Sequence, residues 1–376
     1  MGLTTVPNQA PIALDEYPVH QVPLPMSRTG TSDRNFYDRC YFNAHARTGE
    51  IFLVTGLGVY PNLGVIDAYA AVRRGDQVWS VRFSDALAER SLEQEVGGLR
   101  IEVLEPLRKL RLTCQSPDGS LGFDLHWTGT FPAVLEDPHL LLSRARPILD
   151  ASRFSQVGSW EGRLTVGGTE LTVTPDRWTG VRDRSWGIRP AGEPEPGGRP
   201  GDDPTAGFWW LYLPLRFPSC ALIVIMQEDP DGYRTLSTAK RVWPDGRVEQ
   251  LGWPRVEIGY EPGTRNPRSG TIHLTDSSGA PVCVQIETLT SLPLHVGGGY
   301  SGDPDWSHGR WMGRGWYRAD VYDLADPAVA GRLPYGVTDH VARAMMDGEE
   351  GWGMLEHASM GRHDPSGFAD WSSVAP

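Results

Sequence analysis

The chain has 376 residues, of which 39% are hydrophobic and 22% charged, and its formal net charge is −12 at pH 7. This length allows two domains that each bury a core, and the negative charge disfavours nucleic acid or an anionic membrane surface as a partner. No run approaches the roughly 20 apolar residues of a membrane helix, so we expect no integral membrane segment. Because the N-terminus also lacks the basic start and apolar stretch of a secretory signal, we expect a cytoplasmic protein.

The first half of the chain predicts an extended arm followed by many short strands. Residues 1–30 are rich in proline and read as an arm lying on the first domain. After it, runs of Val, Ile, Leu, Thr and aromatic residues alternate with turns, and a Pro-Asp-Gly turn recurs at 117–119, 230–232 and 244–246. In each of these turns proline presets φ and glycine accepts a positive φ. Strands joined by tight turns indicate a mainly-β protein.

A break in composition divides the chain into two similar halves. Residues 190–207 are rich in proline and glycine with almost no apolar side chains, which predicts a linker or long loop. Helical patterns are scarce, and the best candidates, 84–96 and 339–348, each open on a capping-type residue. Because an antiparallel sheet of this length protects its edges best by closing, we predict two packed antiparallel β-barrels, at 31–189 and 208–376.

The sequence contains no convincing cofactor motif. A strand-like run ends in Gly56-x-Gly58, but Pro61 stands where a dinucleotide fingerprint has its third glycine, and the next residues alternate like a hairpin. Four cysteines, none of them in a Cys-x-x-Cys pair, are interpreted as reduced residues in or near the core: Cys40, Cys114, Cys220 and Cys283. We therefore predict neither a nucleotide nor a metal cofactor.

The segment "GDPDWSHGRW" places Asp303, Asp305 and His308 within six residues. These side chains are metal-ligand types, but a second cluster at ligand spacing is missing. We favour turn residues that precede a strand over a metal site. His308 lies between two tryptophans, Trp306 and Trp311, and we keep it as a candidate for a residue facing a cavity.

Aromatic residues are concentrated in three runs, at 36–45, 207–215 and 309–317. Side chains alternate across a strand, so Trp209 and Leu211 share one face of the second run while Trp210 and Tyr212 share the other. Both faces thus carry a large aromatic ring. Either these rings fill a barrel interior or a domain interface, or some of them form the walls of a pocket for an apolar ligand.

The segment "GVRDRSWGIRP" is too polar for a core strand and too aromatic for a plain loop. Alternation places Arg182, Arg184 and Trp186 on one face and Asp183 with Ser185 on the other. Asp183 is therefore separated from its neighbouring arginines. It either pairs with a guanidinium from elsewhere and stays ionised, or lies in an apolar cavity where a raised pKa makes it a general acid.

The pentapeptide at 183–187, Asp-Arg-Ser-Trp-Gly, resembles the D-[HR]-x-[WF]-G signature of the carotenoid hydratase (hydroxyneurosporene synthase) superfamily. That superfamily includes fungal lipocalin-like Diels–Alderases and an actinobacterial branch, to which we assign the chain. The runs "CYFNAH" and "GWGMLEHASMGR" are similar to its opening and closing strands, although the usual "LELTGY" ending is absent.

This resemblance implies two tandem lipocalin-like (calycin) barrels and a cavity at or between them. It also implies an isoprenoid, polyene or polyketide ligand, handled without metal or nucleotide. The partner expected is therefore a hydrophobic small molecule, and the sequence leaves the oligomeric state open.

We accordingly expect a cofactor-independent enzyme of the hydratase or dehydratase type that acts on an alkene or alcohol of a terpenoid or polyene. Asp183 is the candidate catalytic acid. The candidate substrate-binding residues are Tyr41, Asn43, Trp186, Trp209, Tyr212 and His308. Two alternatives stay open: a pericyclase that cyclises a bound polyene or polyketide, and a non-catalytic carrier of an apolar metabolite.

Overall fold

The computed structural model describes residues 11–18, 29–87, 93–143, 146–195, 207–334 and 336–376. The first thirteen strands are β1 (Phe36–His45), β2 (Ile51–Tyr60), β3 (Val65–Arg74), β4 (Gln77–Ala86), β5 (Glu95–Val96), β6 (Leu99–Glu105), β7 (Lys109–Gln115), β8 (Leu121–Gly129), β9 (Val134–Leu135), β10 (His139–Ser143), β11 (Arg146–Val166), β12 (Thr169–Val173) and β13 (Thr179–Ile188).

The remaining strands are β14 (Phe208–Arg216), β15 (Ala221–Glu228), β16 (Arg234–Val242), β17 (Val248–Gln250), β18 (Arg255–Tyr260), β19 (Pro267–Thr275), β20 (Pro281–Pro293), β21 (Trp316–Asp323), β22 (Thr338–Met346) and β23 (Glu349–Met360). The helices are one short α-helix, α1 (Pro327–Ala330), and three 3-10 turns, at Ala13–Glu16, Pro61–Leu63 and Asp364–Ser366. The predicted mainly-β class is confirmed. Within the described residues, no helix has the length and apolar composition to cross a bilayer.

The strands form two curled antiparallel sheets. The larger sheet has 14 strands, ordered β21-β4-β3-β2-β1-β13-β11-β8-β7-β6-β5, with β9, β10 and β12 paired to β11. The smaller sheet has nine strands, ordered β17-β16-β15-β14-β23-β22-β20-β19-β18. Each sheet curls around its own apolar interior, which confirms the predicted tandem lipocalin-like barrels.

One strand from the second half of the chain belongs to the first sheet. β21 pairs with β4 over its whole length, and Arg82 on β4 forms an ion pair with Asp320 on β21. We propose the ranges 31–189 and 208–376 as the two domains, with β21 contributed by the second range to the first barrel. Most of the expected linker (196–206) and of the expected arm (1–10 and 19–28) lies outside the described residues.

A third apolar layer lies between the two sheets, and alternation along the strands divides residues between this layer and the barrels. Trp209 points into the second barrel, whereas Trp210 and Tyr212 point into the layer between the sheets. β1 divides in the same way, with Phe42 facing the first barrel and Tyr41 facing the second sheet. Both faces of these strands are covered, so aromatic residues on both faces are buried.

The helix predicted for 339–348 is wrong, because these residues form β22 and the turn after it. β22 is hydrogen-bonded on both sides, to β20 and to β23, and this pairing outweighs the helix propensity of its alanines and methionines. Asp347 and Gly348, with φ of 52° and 81°, form the two-residue hairpin turn to β23. The helix predicted for 84–96 is also not observed where it can be checked: 84–86 belong to β4 and 95–96 to β5, while 88–92 lie outside the described residues.

The three Pro-Asp-Gly turns connect consecutive strands as predicted. Gly119, Gly232 and Gly246 have φ of 73°, 86° and 88°. The backbone N–H of each glycine donates to the carbonyl three residues earlier, at 2.9, 3.0 and 3.0 Å. A positive φ costs an L-residue energy that glycine avoids, so these positions fix the ends of three hairpins.

A buried ion pair ties the N-terminal segment into the first barrel. Glu16, only 2% exposed, accepts hydrogen bonds from Nη1 and Nη2 of Arg182 at 2.5 and 2.9 Å, and from the backbone N–H of Leu107 at 2.6 Å. Arg182 also donates from Nε to Gln156 at 2.7 Å. Every polar group of this pair is satisfied inside the fold.

Replacing Glu16 with alanine should leave the Arg182 guanidinium buried without its counter-charge. Breaking one side of such a pair costs about 3–5 kcal/mol, and we expect that loss in the free energy of unfolding measured by urea denaturation. Leu14→Ala is the matched control, since Leu14 is 53% exposed in the same segment and its loss should cost less than about 0.5 kcal/mol. Equal stability of the two variants would mean that the N-terminal segment does not anchor the barrel.

Candidate functional site

A cavity of about 130 Å³ lies between the two sheets. Strands from both sheets supply its walls, because the residues that point away from each barrel meet at the layer between them. Its polar and aromatic lining includes Tyr41 (β1), Arg153 (β11), Asp183 and Ser185 (β13), Trp210 and Tyr212 (β14) and Glu356 (β23). The cavity therefore combines carboxyl groups with aromatic faces.

Asp183 lies on the cavity face of β13, opposite Tyr41 of β1 and Ser155 of β11. Its carboxyl group makes no hydrogen bond within the part of the chain that the structure describes. Burial raises the pKa of Asp183 from 3.8 to about 7, against an opposing effect of Arg153. The neighbouring arginines do not pair with Asp183. Arg182 pairs with Glu16 and Arg184 pairs with Asp38, both on the other face of β13.

Two further carboxyl groups belong to the second sheet, and one of them, Glu356, lines the cavity. Asp339 on β22 and Glu356 on β23 are direct cross-strand neighbours, and burial raises the pKa of both. The hydroxyl of Tyr41 donates to Asp339 across the two sheets, and the indole N–H of Trp210 donates to Oε1 of Glu356 at 2.6 Å. Two neighbouring carboxyl groups that are removed from water favour a state in which they share one proton and carry one negative charge.

Asn43 holds Tyr41 in place from behind the cavity wall. It is fully buried, its Nδ2 donates to the Tyr41 hydroxyl at 3.1 Å, and its Oδ1 accepts from the backbone N–H of Val181 at 2.9 Å. These two bonds link β1 to β13 through a side chain. Asn43 thus orients the hydroxyl that contacts Asp339.

On the opposite wall, Arg153 is already paired. Its guanidinium donates to Glu136, which also accepts from the hydroxyl of Ser155, and Ser155 is 2.6 Å from the hydroxyl of Tyr212. Arg153 also lies over the rings of Trp210 and Tyr212, at 5.5 and 5.1 Å from their centroids. Because Glu136 neutralises it, Arg153 acts on Asp183 only at a distance.

A wider vestibule of about 780 Å³ adjoins the cavity and shares Arg39, Leu149, Arg189 and Tyr300 with it. His308 lines this vestibule and not the inner cavity. Its ring lies 5.0 Å from that of Tyr300, and burial, with Arg39 and Arg189 nearby, lowers its pKa well below 6.5. His308 is therefore neutral at physiological pH.

The two aspartates near His308 support the loop. The carboxylate of Asp303 accepts from the backbone N–H groups of Gly297 and Gly299 at 3.1 and 3.0 Å. Asp305 pairs with Arg332 at 3.3 Å. These contacts agree with the turn interpretation of the segment, because both carboxylates are used in holding its backbone and neighbours.

The predicted site residues are only partly brought together. Asp183, Tyr41 and Tyr212 line the cavity, with Asn43 behind it. Trp209 instead points into the second barrel, where it stacks on His363 at 5.3 Å. Trp186 lies half-buried on the Arg182 face of β13 and is not among the described residues that line the cavity.

Sequence reasoning missed Glu136, Arg153, Asp339 and Glu356. Glu356 had a local signal, since it is a charged residue within the largely apolar run "WGMLEHASM". The place of Trp210 on the cavity wall could also be predicted from the sequence, because it lies two residues from the candidate Tyr212 and so shares its strand face. Glu136 and Arg153 carry no such signal, since their pairing joins residues on different strands.

Replacing Asp183 with asparagine should stabilise the protein at neutral and higher pH. With a folded-state pKa of about 7 against an ordinary value of 3.8, the native state holds a proton that the unfolded state releases. The wild type thus loses stability relative to Asp183→Asn as pH rises from about 4 to 7, and the deficit is complete above 7. Thermal melts at pH 5 and pH 8 measure this. A variant that melts below the wild type at pH 8 would identify Asp183 as an ion-pair partner.

Two solved structures with a similar fold cover nearly the whole chain. Kievitone hydratase from Nectria haematococca has 14% identity and a TM-score of 0.53, over 98% of this chain and 96% of that chain. A protein assigned as AttH from Nitrosomonas europaea has 14% identity and a TM-score of 0.52, over 86% and 92% of the two chains. CghA in complex with Sch210972 is less similar, with a TM-score of 0.45.

At these identities the similarity concerns the fold alone, and it agrees with the two tandem lipocalin-like barrels of this chain. No curated protein matches the sequence. A model of the family of unknown function DUF8625 matches residues 12–369, and the chain belongs to that family.

Proposed function

We propose that the protein is a cofactor-independent hydro-lyase that adds water to an alkene of a hydrophobic small molecule, or removes water from the corresponding alcohol. The observation that carries this proposal is Asp183, a carboxyl group with a pKa of about 7 that faces a cavity with aromatic walls. The name of one structural neighbour, kievitone hydratase, supports the reaction class, although a shared fold alone does not assign a function.

Protonation of an alkene requires an acid that is still neutral near physiological pH. In the proposed first step, Asp183 gives its proton to one alkene carbon, the π bond breaks and positive charge develops on the neighbouring carbon. The ring faces of Trp210, Tyr212 and Tyr41 stabilise that charge, since the face of an aromatic ring is electronegative. The carboxylate that Asp183 leaves behind stabilises it further.

Addition of water completes the reaction. A water molecule forms the new C–O bond at the cationic carbon, and Glu356 accepts its released proton. The Asp339–Glu356 pair suits this role, because it carries one negative charge when it shares one proton. Asp183 regains a proton from Glu356 through water in the cavity, so the net change is one water added across the double bond. Dehydration is the same sequence reversed.

The cavity walls support a substrate of isoprenoid or polyene type. Tyr37, Phe208, Trp210 and Val337 offer apolar or aromatic surface around the carboxyl groups. Burying such surface favours a hydrophobic ligand by about 25 cal/mol for each Å² removed from water.

Asp183→Asn should abolish turnover, because an amide cannot protonate an alkene. The test incubates the protein with a panel of prenylated phenols and linear terpenoids in D₂O, and mass spectrometry follows the products. Wild type should yield an alcohol carrying one carbon-bound deuterium, with a rate that falls as pH rises through about 7. Asp124→Asn is the control, since Asp124 pairs with Arg111 outside the cavity.

The other readings give different products in the same experiment. A pericyclase would convert a polyene to an isomer without deuterium and would tolerate Asp183→Asn. A carrier would bind ligands and release them unchanged. Either result would contradict the hydro-lyase proposal.

Two adjacent tryptophans offer a matched pair of substitutions. Trp210→Phe removes the indole N–H that donates to Glu356 and weakens the ring face over the cavity, so we expect kcat to fall about tenfold, near 1.4 kcal/mol. Trp209→Phe removes a bond to Tyr260 in the second barrel and should leave kcat unchanged. Steady-state kinetics on both variants measures this, and equal effects would argue against Trp210 as a cavity wall.

A further inference from the structure

Arg39 is a buried cation that has no hydrogen-bonded side-chain partner among the residues that the structure describes. It lies on β1, is 8% exposed, and lines both the inner cavity and the vestibule. Its guanidinium lies over the ring of Tyr300, 5.1 Å from the centroid. No carboxylate of the described residues forms an ion pair with it, although a guanidinium has five N–H donors and this one is largely removed from water.

Arg189 occupies the same junction from the end of β13. It also lines both the cavity and the vestibule, and its guanidinium lies 6.0 Å from the centroid of the Tyr37 ring. Its side chain makes no ion pair within the described part of the chain. Two guanidinium groups thus face the passage between the two spaces.

Each of the other three arginines of the vestibule has a carboxylate partner. Arg34 and Arg146 both pair with Glu195, at 3.8 and 3.1 Å, and Arg310 pairs with Glu193 at 2.6 Å. Within the described residues, the lack of a carboxylate partner is therefore specific to Arg39 and Arg189 and is not general among the arginines of the vestibule. An unpaired buried guanidinium is costly unless a ligand supplies the counter-charge.

We propose that Arg39 and Arg189 bind a carboxylate group of the substrate at the junction, while the apolar remainder of that molecule enters the inner cavity. The substrate is then an amphipathic terpenoid or polyene acid, held at its charged end so that its alkene meets Asp183. This substrate class rests on the proposed function, but the binding of the carboxylate does not depend on catalysis. A planar guanidinium matches a carboxylate through two parallel N–H···O bonds.

The charges around the junction leave room for an anion. Arg153 is neutralised by Glu136, and the Asp339–Glu356 pair carries one negative charge when it shares a proton. Asp67 and Asp183 also lie near Arg39, and burial raises the pKa of each to about 7. Within the described residues, no ion pair joins either junction guanidinium to any of these carboxyl groups, so both stay open to the carboxylate of a ligand.

The test compares farnesoic acid with its methyl ester, which has the same chain without the charge. Isothermal titration calorimetry at pH 6.5 should show the acid binding at least tenfold more tightly to the wild type. Arg39→Gln and Arg189→Gln should each reduce this preference by at least fivefold while affinity for the ester stays within twofold. Arg146→Gln is the matched control, since Glu195 keeps Arg34 as a partner, and it should retain the full preference.

The other possible results of this titration also decide the proposal. Equal binding of acid and ester to the wild type, binding of neither, or a parallel loss of both ligands in Arg39→Gln would overturn the proposal. If Arg39→Gln does not fold, the half-buried Arg189 carries the test. Asp183→Asn should keep the preference for the acid, so loss of turnover in that variant and loss of carboxylate selectivity in the arginine variants report on separate proposals.

Discussion

Burial on both faces of the strands at the seam between the barrels is the constraint on which the rest of the structure depends. β1 and β13 of the first sheet and β14 and β23 of the second each turn one face to a barrel interior and the other to the opposite sheet. Polar side chains on the seam face are largely removed from water, which favours finding a partner or a change in pKa. Glu136 and Glu356 find partners, whereas burial raises the pKa of Asp183 to about 7.

Because of the same constraint, residues that are next to each other on β13 have different roles. Arg182 and Arg184 turn inwards and complete ion pairs with Glu16 and Asp38, which fill the polar end of the first barrel. Asp183 turns to the seam. The local sequence looks like a cluster in which charges cancel, but the pleat of the strand places its arginines and Asp183 on opposite faces of the sheet.

The polarity of the site is graded from the vestibule inwards. Arg39 and Arg189, which have no carboxylate partner among the described residues, lie at the junction, whereas aromatic faces and the carboxyl groups of Asp183 and Glu356 line the inner cavity. Such a gradient orients an amphipathic molecule, because its charged end is stabilised at one place and its apolar chain at another. Polar contacts across the seam, such as that of Tyr41 with Asp339, hold the two walls in register.

The sequence by itself determined the strand-rich class, the three Pro-Asp-Gly hairpins and the separation of Asp183 from its neighbouring arginines onto the other strand face. These features depend on residues close together in the chain, through turn chemistry and a two-residue alternation. It also contained the Asp347-Gly348 hairpin turn, which the helix-like composition of 339–346 concealed.

Only the tertiary structure decided which strand faces meet. Trp209 and Trp210 are equally aromatic, and nothing local says which of them faces the second barrel and which faces the cavity. Glu136 and Arg153, or Asp339 and Glu356, become neighbours only when strands pair and sheets stack. β21 joins the first sheet although it follows seven strands of the second. Long-range pairing sets these contacts, because burial rewards the best match between whole surfaces and not the preference of any single segment.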